Sequence, residues 1–294
     1  MAAKLIDGKE IAQQIRAELA VEVKALKAKG IVPGLGVILC GADPASKSYV
    51  TAKEQCCHDL GMYSDDNRLP ATATQAELLA LIRRMNGDPK INGILVQLPL
   101  PKHLNESEVL LAIDPDKDVD GFHPMNVGRM VVGEKAYLPC TPHGVLQMLL
   151  RSGVKVDGAH AVIVGRSNIV GKPLANLLMA KSKLGNATVT VCHTRTKDIG
   201  FFTRQADIVI AAAGRPNTIT ADMIREGAVV IDVGVNRVED ASKKAGFRLV
   251  GDVDFEACKA KASLITPVPG GVGPMTITML MYNTVESAKR AHGL

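Results

Sequence analysis

Short, almost wholly apolar runs alternate with segments of helical period along most of the chain, and this alternation constrains the fold more than any other feature. Such runs are typical of strands in a parallel sheet, because helices cover both of its faces. The predicted strands span residues 34–40, 93–98, 161–165, 188–193, 208–212 and 229–233. The predicted helices span residues 46–60, 75–86, 144–152, 172–180 and 221–225. The sequence therefore predicts an α/β protein built from repeated βα units around a parallel sheet.

The N-terminal segment has the signature of a helix start. Asp7, followed by Glu10 three residues later, is typical of a helix N-terminus, because both side chains can accept bonds from unpaired backbone N–H groups. Further acidic residues follow at Glu18 and Glu22, whereas transit peptides avoid acids. We therefore expect a first helix here rather than a targeting peptide, and a cytoplasmic protein.

The chain has 294 residues, a length that favours two domains. Residues 114–141 are rich in Asp, Gly, Pro and His and show no clear period, so we place the boundary near their end. A last helix is predicted over residues 274–292, with an apolar face that could return to the first domain. The predicted division is therefore residues 1–140 together with 274–294 as one domain, and residues 141–273 as the other.

Composition excludes several classes of protein. The net charge of +5 is spread along the chain, and aromatic residues make up only 3%, which argues against nucleic-acid binding and favours anionic small molecules. No run reaches the roughly 18 apolar residues of a membrane helix. The six cysteines are scattered without a CxxC pair, and no HExxH motif occurs, so we expect reduced thiols and no bound metal.

A glycine-containing turn in the second half is the strongest binding signal. The predicted strand before Gly165 leads into GRSNIVGKP at residues 165–173, and a helix follows. Glycine allows the backbone to approach a phosphate, and the helix N-terminus offers unpaired N–H groups. The full G-x-G-x-x-G pattern is absent, however, so this segment alone could equally be an ordinary tight βα turn.

The end of the next predicted strand bears on the choice of cofactor. NAD-binding enzymes usually carry an acidic residue there, but this chain has Thr194 and Arg195, whose hydroxyl and guanidinium suit a 2′-phosphate. Arg195 could instead be a solvated loop cation, and Arg166 is a second candidate for the same anion. The pattern favours NADP over NAD.

Two features of the first half are typical of a catalytic site. Tyr49 and Lys53 lie four residues apart in a predicted helix and therefore share one face, although an exposed lysine beside a half-buried tyrosine has the same spacing. Gln97 interrupts an apolar strand near its carboxyl end, where α/β sheets bind ligands. Its amide either bonds neighbouring backbone or faces a site and orients a lysine.

Two loops complete the set of candidates. In the segment DVDGF at residues 118–122, turn chemistry accounts for one aspartate and leaves the other free to bind amide or amino groups of a ligand. The segment TPVPGGVGPMT at residues 266–276 combines flexible glycines with stiff prolines before the last helix. It is either a linker or, as we expect from its rigidity, a shaped wall of a binding cleft.

Five segments in order resemble one family, the bifunctional methylenetetrahydrofolate dehydrogenase/cyclohydrolases of the FolD type. They are YVTAK at 49–53, GILVQLPLP at 93–101, DVDGF at 118–122, GRSNIVGKP at 165–173 and PGGVGPMT at 269–276. The resemblance implies two α/β domains, an N-terminal catalytic and folate-binding domain and a C-terminal Rossmann-like NADP domain with a parallel sheet, with a cleft between them. It also implies a homodimer.

The resemblance assigns roles to individual residues. It places the catalytic lysine at Lys53, the stacking aromatic residue at Tyr49, the lysine-orienting glutamine at Gln97 and the pterin-binding aspartate at Asp120. Further folate contacts fall on Val96, Leu98, Pro269, Gly270, Gly271, Val272 and Gly273. The implied NADP contacts are Gly165, Arg166, Ser167, Thr194 and Val235, and the glycine turn and the following strand end add Ile169, Val170, Gly171 and Arg195 as predicted cofactor residues.

The implied activity has two steps. 5,10-Methylenetetrahydrofolate is oxidised with NADP+ to the 5,10-methenyl form, which is then hydrolysed to 10-formyltetrahydrofolate. A short-chain dehydrogenase also pairs Tyr and Lys at this spacing, but there the glycine turn precedes the pair, whereas Gly165 follows Lys53 here. A dehydrogenase without the hydrolase step and a noncatalytic NADP-binding module remain as alternatives.

Overall fold

The computed structural model describes residues 2–243 and 246–294, and the chain forms two compact units. The first, here called the large-sheet unit, contains the described residues up to Ala12 together with Thr141–Thr276. The second, the small-sheet unit, contains Gln13–Cys140 and Ile277–Leu294. Both are α/β structures with parallel sheets.

The sheet of the large-sheet unit explains why its apolar runs are so short and continuous. Its strands are β1 (Lys4–Leu5), β5 (His160–Val164), β6 (Thr188–Cys192), β7 (Ile208–Ala211), β8 (Val229–Asp232) and β11 (Leu264–Ile265). They run parallel in the order β1-β11-β8-β7-β5-β6, and the inner strands β7 and β8 are buried along their whole length. The order reverses between β5 and its neighbours, the position where open α/β sheets bind ligands.

Helices and a ribbon complete the large-sheet unit. They are α6 (Cys140–Arg151), whose first residue belongs to the other unit, α7 (Gly171–Met179), α8 (Ile199–Thr203), a 3-10 helix (Ala221–Met223) and α9 (Phe255–Lys259). The antiparallel ribbon consists of β9 (Asn236–Glu239) and β10 (Phe247–Val250). The buried core contains Val162, Val164, Val209, Val230 and Ile265 from the sheet.

The small-sheet unit has the strands β2 (Gly34–Cys40), β3 (Tyr63–Leu69) and β4 (Gly93–Val96), parallel in the order β3-β2-β4. Its helices are α2 (Pro44–Asp59), α3 (Gln75–Gly87), α4 (Glu106–Ala112) and α5 (Pro124–Val132). Two long helices, α1 (Gly8–Ala28) and α10 (Val272–Ala291), begin in the large-sheet unit and continue in this one. Central strand β2 is buried at every position, as its apolar sequence predicts.

Most predicted strands and helices are present, with ends shifted by a few residues. The predicted helix at 221–225 is only a 3-10 turn, and residues 114–141, predicted to lack regular structure, contain α5. At the start of this helix, His123 Nδ1 accepts the Met125 N–H at 3.1 Å and so caps the helix. The hydrophobic pattern of the sequence does not indicate such a capping interaction.

The N-terminal residues depart from the predicted division of the chain. β1 pairs in parallel with β11, so the described residues before Ala12 group with the large-sheet unit rather than with residues 13–140. Three backbone N–H groups of this segment donate to carbonyls on or near β11: Ala3 to Lys259, Lys4 to Ser263 and Ile6 to Ile265. A two-residue edge strand carries no sequence pattern of its own, which is why the prediction missed it.

Within the described part of the chain, no helix is both long and apolar enough to cross a membrane.

Candidate active site

A buried lysine held by a glutamine is the centre of the candidate site in the small-sheet unit. Helix α2 starts at an N-cap, Asp43, whose carboxylate accepts the Ser46 N–H at 2.8 Å, and this helix carries Lys53. Lys53 is only 7% exposed, and its Nζ donates to Gln97 Oε1 at 2.9 Å. An amine buried to this degree requires a partner, and the glutamine oxygen is one.

Gln97 is itself fixed by the backbone around it. It follows β4, at the carboxyl end of the strand, and its N–H donates to the Ile38 carbonyl at 2.9 Å. Its side-chain Nε2 donates to the Leu98 carbonyl at 2.7 Å, which turns Oε1 toward Lys53. The two possibilities that the sequence left open for this amide are therefore both realised, because it bonds neighbouring backbone and orients the lysine.

The two aspartates of the DVDGF segment divide their roles. Asp118 is buried, and its carboxylate accepts the N–H groups of Phe122 and His123 at 3.2 and 2.8 Å and the side-chain amide of Asn126 at 2.9 Å. Asp118 is therefore the aspartate that stabilises the turn. The side chain of Asp120 lies instead within electrostatic reach of Lys53.

Charge and burial oppose one another in this cluster. Burial lowers the pKa of Lys53, while the negative charge of Asp120 partly restores it. Burial raises the pKa of Asp120, and the Lys53 cation acts in the opposite direction. The thiol of Cys140 lies beside both groups, and burial raises its pKa well above the ordinary value. Cys140 was not a predicted site residue, because a lone cysteine carries no distinguishing sequence pattern.

The lowered pKa of Lys53 leads to a first prediction. Burial destabilises the ammonium form, so the amine should lose its proton below pH 10.5, the ordinary value. Replacing Asp120 by asparagine removes a charge that favours the ammonium, and it should move the Lys53 titration to still lower pH. Titration of isotopically labelled lysine by NMR, in the wild type and in Asp120→Asn, measures both. An upward shift in the variant would contradict this electrostatic account.

The remaining predicted folate contacts of this unit lie close by along the chain. Tyr49 is 38% exposed and precedes Lys53 by one turn of α2, so its ring is available to a ligand. Val96 is buried at the end of β4, and Leu98 is partly exposed. Their backbone groups flank Gln97 at the carboxyl end of β4, where α/β sheets bind ligands.

The large-sheet unit contains a cavity of about 410 Å³ at the carboxyl ends of β5, β6 and β7. Four predicted cofactor residues line it: Gly165, Arg166, Ser167 and Thr194. A cation and two hydroxyl groups in one cavity are suited to phosphate oxygens. The fit at the turn is close, because a Cβ on Gly165, whose φ is +143°, would lie 2.1 Å from the Ala212 carbonyl oxygen. The residues present therefore fit a nucleotide cofactor.

Other predicted cofactor residues shape this turn or lie outside the cavity. Ser167 Oγ accepts the N–H groups of Val170 and Gly171 at 3.1 and 3.4 Å, which links the turn to the start of α7. A Cβ on Gly171 would lie 2.2 Å from the Gly165 carbonyl oxygen. The described lining does not include Ile169, Val170, Gly171, Arg195 or Val235. Arg195, the preferred candidate for the 2′-phosphate, has an exposed side chain, and Arg166 takes its place on the cavity wall.

Most of the cavity wall consists of residues that no sequence motif marks. The additional lining residues are Val164, His193, Ile199, Ala212, Ala213, Arg215 and Thr218. Ala212 and Ala213 follow β7, the neighbour of β5 in the sheet. Ligands bind at the carboxyl ends of strands in α/β sheets, so these two residues could be predicted if the strand order were known. A single sequence does not give that order.

The glycine-rich loop before α10 belongs to the large-sheet unit and is closely packed there. A Cβ on Gly8 would lie 1.9 Å from the Gly271 carbonyl oxygen, so the start of α1 and this loop touch backbone to backbone. Gly270 has a φ of +107°, which favours glycine. Helix α10 begins at Val272, two residues earlier than predicted. The loop is thus a packed, shaped segment rather than a linker.

Within the described residues, no group of three or more His, Cys, Asp or Glu side chains could hold a metal ion.

The fold and the two sites define the class of protein: an α/β protein with two domains, one of them Rossmann-like with a cavity suited to a nucleotide cofactor. Residues 139–292 match the family described as tetrahydrofolate dehydrogenase/cyclohydrolase, NAD(P)-binding domain. Residues 6–120 match the catalytic domain of the same family. The chain belongs to the tetrahydrofolate dehydrogenase/cyclohydrolase family.

Individual relatives agree with this assignment. The chain is 60% identical to the bifunctional protein FolD of Syntrophus aciditrophicus over 294 residues, which cover 100% of both chains. The solved structure of the bifunctional enzyme FolD from Campylobacter jejuni is 49% identical, with a TM-score of 0.93 over 99% of this chain and 100% of that one. A Trypanosoma brucei FolD structure, complexed with NADP cofactor and inhibitor, is 41% identical with a TM-score of 0.95 over 100% of both chains.

Proposed function

We propose that this chain is a bifunctional one-carbon folate enzyme that oxidises 5,10-methylenetetrahydrofolate with NADP+ and hydrolyses the 5,10-methenyl product to 10-formyltetrahydrofolate. The observation that carries the proposal is the buried Lys53, held by Gln97 and facing the charge of Asp120. Membership of a dehydrogenase/cyclohydrolase family supports both activities. The buried amine, oriented by Gln97, favours an enzyme over a noncatalytic binding module.

The oxidation step draws on the cavity of the large-sheet unit. Gly165, Arg166, Ser167 and Thr194 would hold the cofactor, with the arginine and the two hydroxyls facing its phosphates. When bound, NADP+ supplies a nicotinamide ring that accepts a hydride from the one-carbon bridge of the substrate. The protein's contribution to this step is to align the two reactants. Tyr49 would stack on the aromatic ring of the folate, and Asp120 would bind the amino groups of its pterin.

The hydrolysis step draws on Lys53. Water adds to the methenyl carbon, and the neutral amine of Lys53 takes one proton from that water as the new C–O bond forms. Burial favours the neutral form, which is the form a base requires. The hydroxyl of the adduct then loses its remaining proton as its oxygen forms the formyl C=O bond, the carbon–N5 bond breaks and N5 takes up a proton. 10-Formyltetrahydrofolate results, and the net release is the one proton that Lys53 took from water. Gln97 keeps Nζ in place through its 2.9 Å hydrogen bond.

An absorbance time course tests the proposal. Purified protein is mixed with 5,10-methylenetetrahydrofolate and either NADP+ or NAD+, and the loss of added methenyl folate is followed separately. Reduction of NADP+ together with methenyl loss faster than in buffer supports both activities. Reduction without accelerated loss leaves a monofunctional dehydrogenase, and the absence of reduction with either cofactor contradicts the assignment as a dehydrogenase.

The position of the two arginines leads to a prediction about cofactor preference. Arg166 lines the cavity and Arg195 does not, so Arg166→Gln should raise the KM for NADP+. The loss of a charge-assisted hydrogen bond to a phosphate should raise the KM for NADP+ about tenfold or more. The KM for NAD+ should change less. Arg195→Gln is the matched control and should have the weaker effect. Equal losses for the two cofactors in Arg166→Gln would show that this arginine does not recognise the 2′-phosphate.

We propose further that the chain works as a homodimer in the cytoplasm and binds neither nucleic acid nor membrane. All six cysteines are free and buried, as suits a reducing compartment. The family resemblance supports the dimer. Sedimentation equilibrium of the purified chain measures the oligomeric state directly, and a monomer mass at micromolar concentration would contradict the dimer.

A further inference from the structure

One wall of the cavity in the large-sheet unit is a loop that contains little regular structure. It follows β7 and comprises residues 212–218, of which Ala212, Ala213, Arg215 and Thr218 line the cavity. Apart from the bond that joins Ala212 N–H to the Val164 carbonyl at 2.8 Å, the sheet does not hold this segment. A loop of this kind needs another element to fix its path if the cavity is to keep its shape.

Asp252 holds the loop at both ends. Its side chain is fully buried, and Oδ2 accepts the N–H groups of Ala213 at 2.6 Å and Gly214 at 2.8 Å. Its own backbone carbonyl accepts the N–H groups of Thr218 and Ile219 at 2.7 and 3.1 Å. A single residue therefore binds the beginning and the end of the cavity wall.

Asp252 is in turn fixed by polar groups and by close packing. Its second oxygen, Oδ1, accepts the side-chain N–H of Asn236 at 2.9 Å. The buried carboxylate of Asp232, at the end of β8, accepts the backbone N–H groups of Asp252 and Val253 at 2.9 and 3.0 Å. Gly234 leaves the required space, since a Cβ there would lie 2.1 Å from Asp252 Oδ1. The carboxylate thus has one well-defined position.

From these contacts we infer that Asp252 is a positioning residue for the cofactor site, which fixes loop 212–218 in the shape that the nucleotide requires before it binds. Asp252 does not line the cavity and acts through the backbone of the loop. A buried carboxylate that accepts backbone N–H groups forms stronger bonds than a neutral acceptor, which gives a reason for an aspartate at this place. The inference rests on the proposed NADP-dependent activity.

Three variants test the inference by calorimetric titration of NADP+ and by thermal unfolding. Asp252→Ala removes both loop bonds and should raise the Kd for NADP+ roughly tenfold or more. Asp252→Asn keeps an oxygen for the loop N–H groups but places an NH2 group opposite the Asn236 amide, which also donates to the Gly251 carbonyl at 3.2 Å, so its Kd should rise by less than in Asp252→Ala. Asp254→Ala is the matched control. It removes a carboxylate two residues away that caps α9 through the Ala257 N–H and should leave the Kd unchanged.

A kinetic measurement separates positioning from general destabilisation. In Asp252→Ala the KM for NADP+ should rise more than kcat falls, because the loop can still reach its shape once the cofactor is bound. If Asp252→Ala and Asp254→Ala unfold cooperatively and bind NADP+ with the affinity of the wild type, the inference is wrong. If the wild type itself does not bind NADP+, the proposed function fails first.

Hydrogen exchange on the unaltered chain decides the question even if Asp252→Ala does not fold. Without cofactor, the amides of Ala213 and Gly214 should exchange at least about 100-fold more slowly than in an unstructured peptide, because both are bonded to Asp252. Exchange at the rate of an unprotected loop would show that the wall is not fixed in advance and would overturn the inference.

Discussion

Replacing Lys53 by methionine is expected to abolish the hydrolysis of methenyltetrahydrofolate while leaving NADP+ binding nearly intact. Methionine has similar length and fills the buried position, but it can neither take a proton from water nor bond Gln97 Oε1. General base catalysis contributes about 10²–10⁴-fold, so the hydrolysis rate should fall by at least that range toward the rate in buffer. The rate of methenyl absorbance loss measures the effect, and NADP+ titration shows whether the cofactor cavity survives.

Lys47→Met is the control for this substitution. Lys47 lies on the same helix as Lys53, but its side chain is exposed, so the same chemical change should leave hydrolysis near the wild-type rate. Rapid hydrolysis in folded Lys53→Met would remove this lysine from the mechanism. Equal losses in both variants would point to helix α2 as a whole rather than to one amine.

Replacing Gly165 by alanine is expected to cost both stability and cofactor binding. The new Cβ would lie 2.1 Å from the Ala212 carbonyl oxygen, and the φ of +143° is one that residues with a side chain rarely adopt. The turn must therefore move, and the turn and Ala212 both line the cavity. We expect a loss of about 2 kcal/mol or more in the free energy of unfolding and at least about a 100-fold increase in the Kd for NADP+.

The variant Gly153→Ala separates the effect of the steric clash at Gly165 from the effect of backbone strain. Gly153 also has a positive φ, +73°, but a Cβ there meets nothing within 4 Å. It should cost about 1–2 kcal/mol of stability through strain alone and leave NADP+ affinity unchanged. Chemical denaturation and calorimetric titration of both variants make the comparison. Wild-type affinity in Gly165→Ala would contradict the role given to this turn.

The part of the fold that the sequence could predict is the part with a strong hydrophobic pattern. β2, β5 and β8 are buried along nearly their whole length, so their apolar runs mark them clearly. β3 escaped prediction because its sequence, YSDDNRL, is polar; it is an edge strand that pairs with β2 on one side only. Its charges are accommodated by ion pairs such as Arg84–Asp65, which a strand pattern does not reveal.

The two sites, too, are only partly predictable from the sequence. Gln97 could be predicted because it interrupts an apolar strand, whereas the roles of Lys53 and Asp120 could be assigned only with the family resemblance. The structure brings these three residues together in one unit. The cofactor wall at residues 212–218 could not be predicted, because its path is set by Asp252, far along the chain. The sequence favours Arg195 over Arg166 because Arg195 lies at the strand end where NAD-binding enzymes usually carry an acidic residue. Which of the two side chains lines the cavity is decided by tertiary structure.

Whether one chain performs both steps is measured most directly in a single reaction that contains this chain, 5,10-methylenetetrahydrofolate and NADP+. The products are separated by chromatography and quantified over time. NADPH and 10-formyltetrahydrofolate should appear in equal amounts, with little methenyl folate accumulating beyond its equilibrium share. Accumulation of methenyl folate that decays only at the rate found in buffer would contradict the claim that one chain performs both steps.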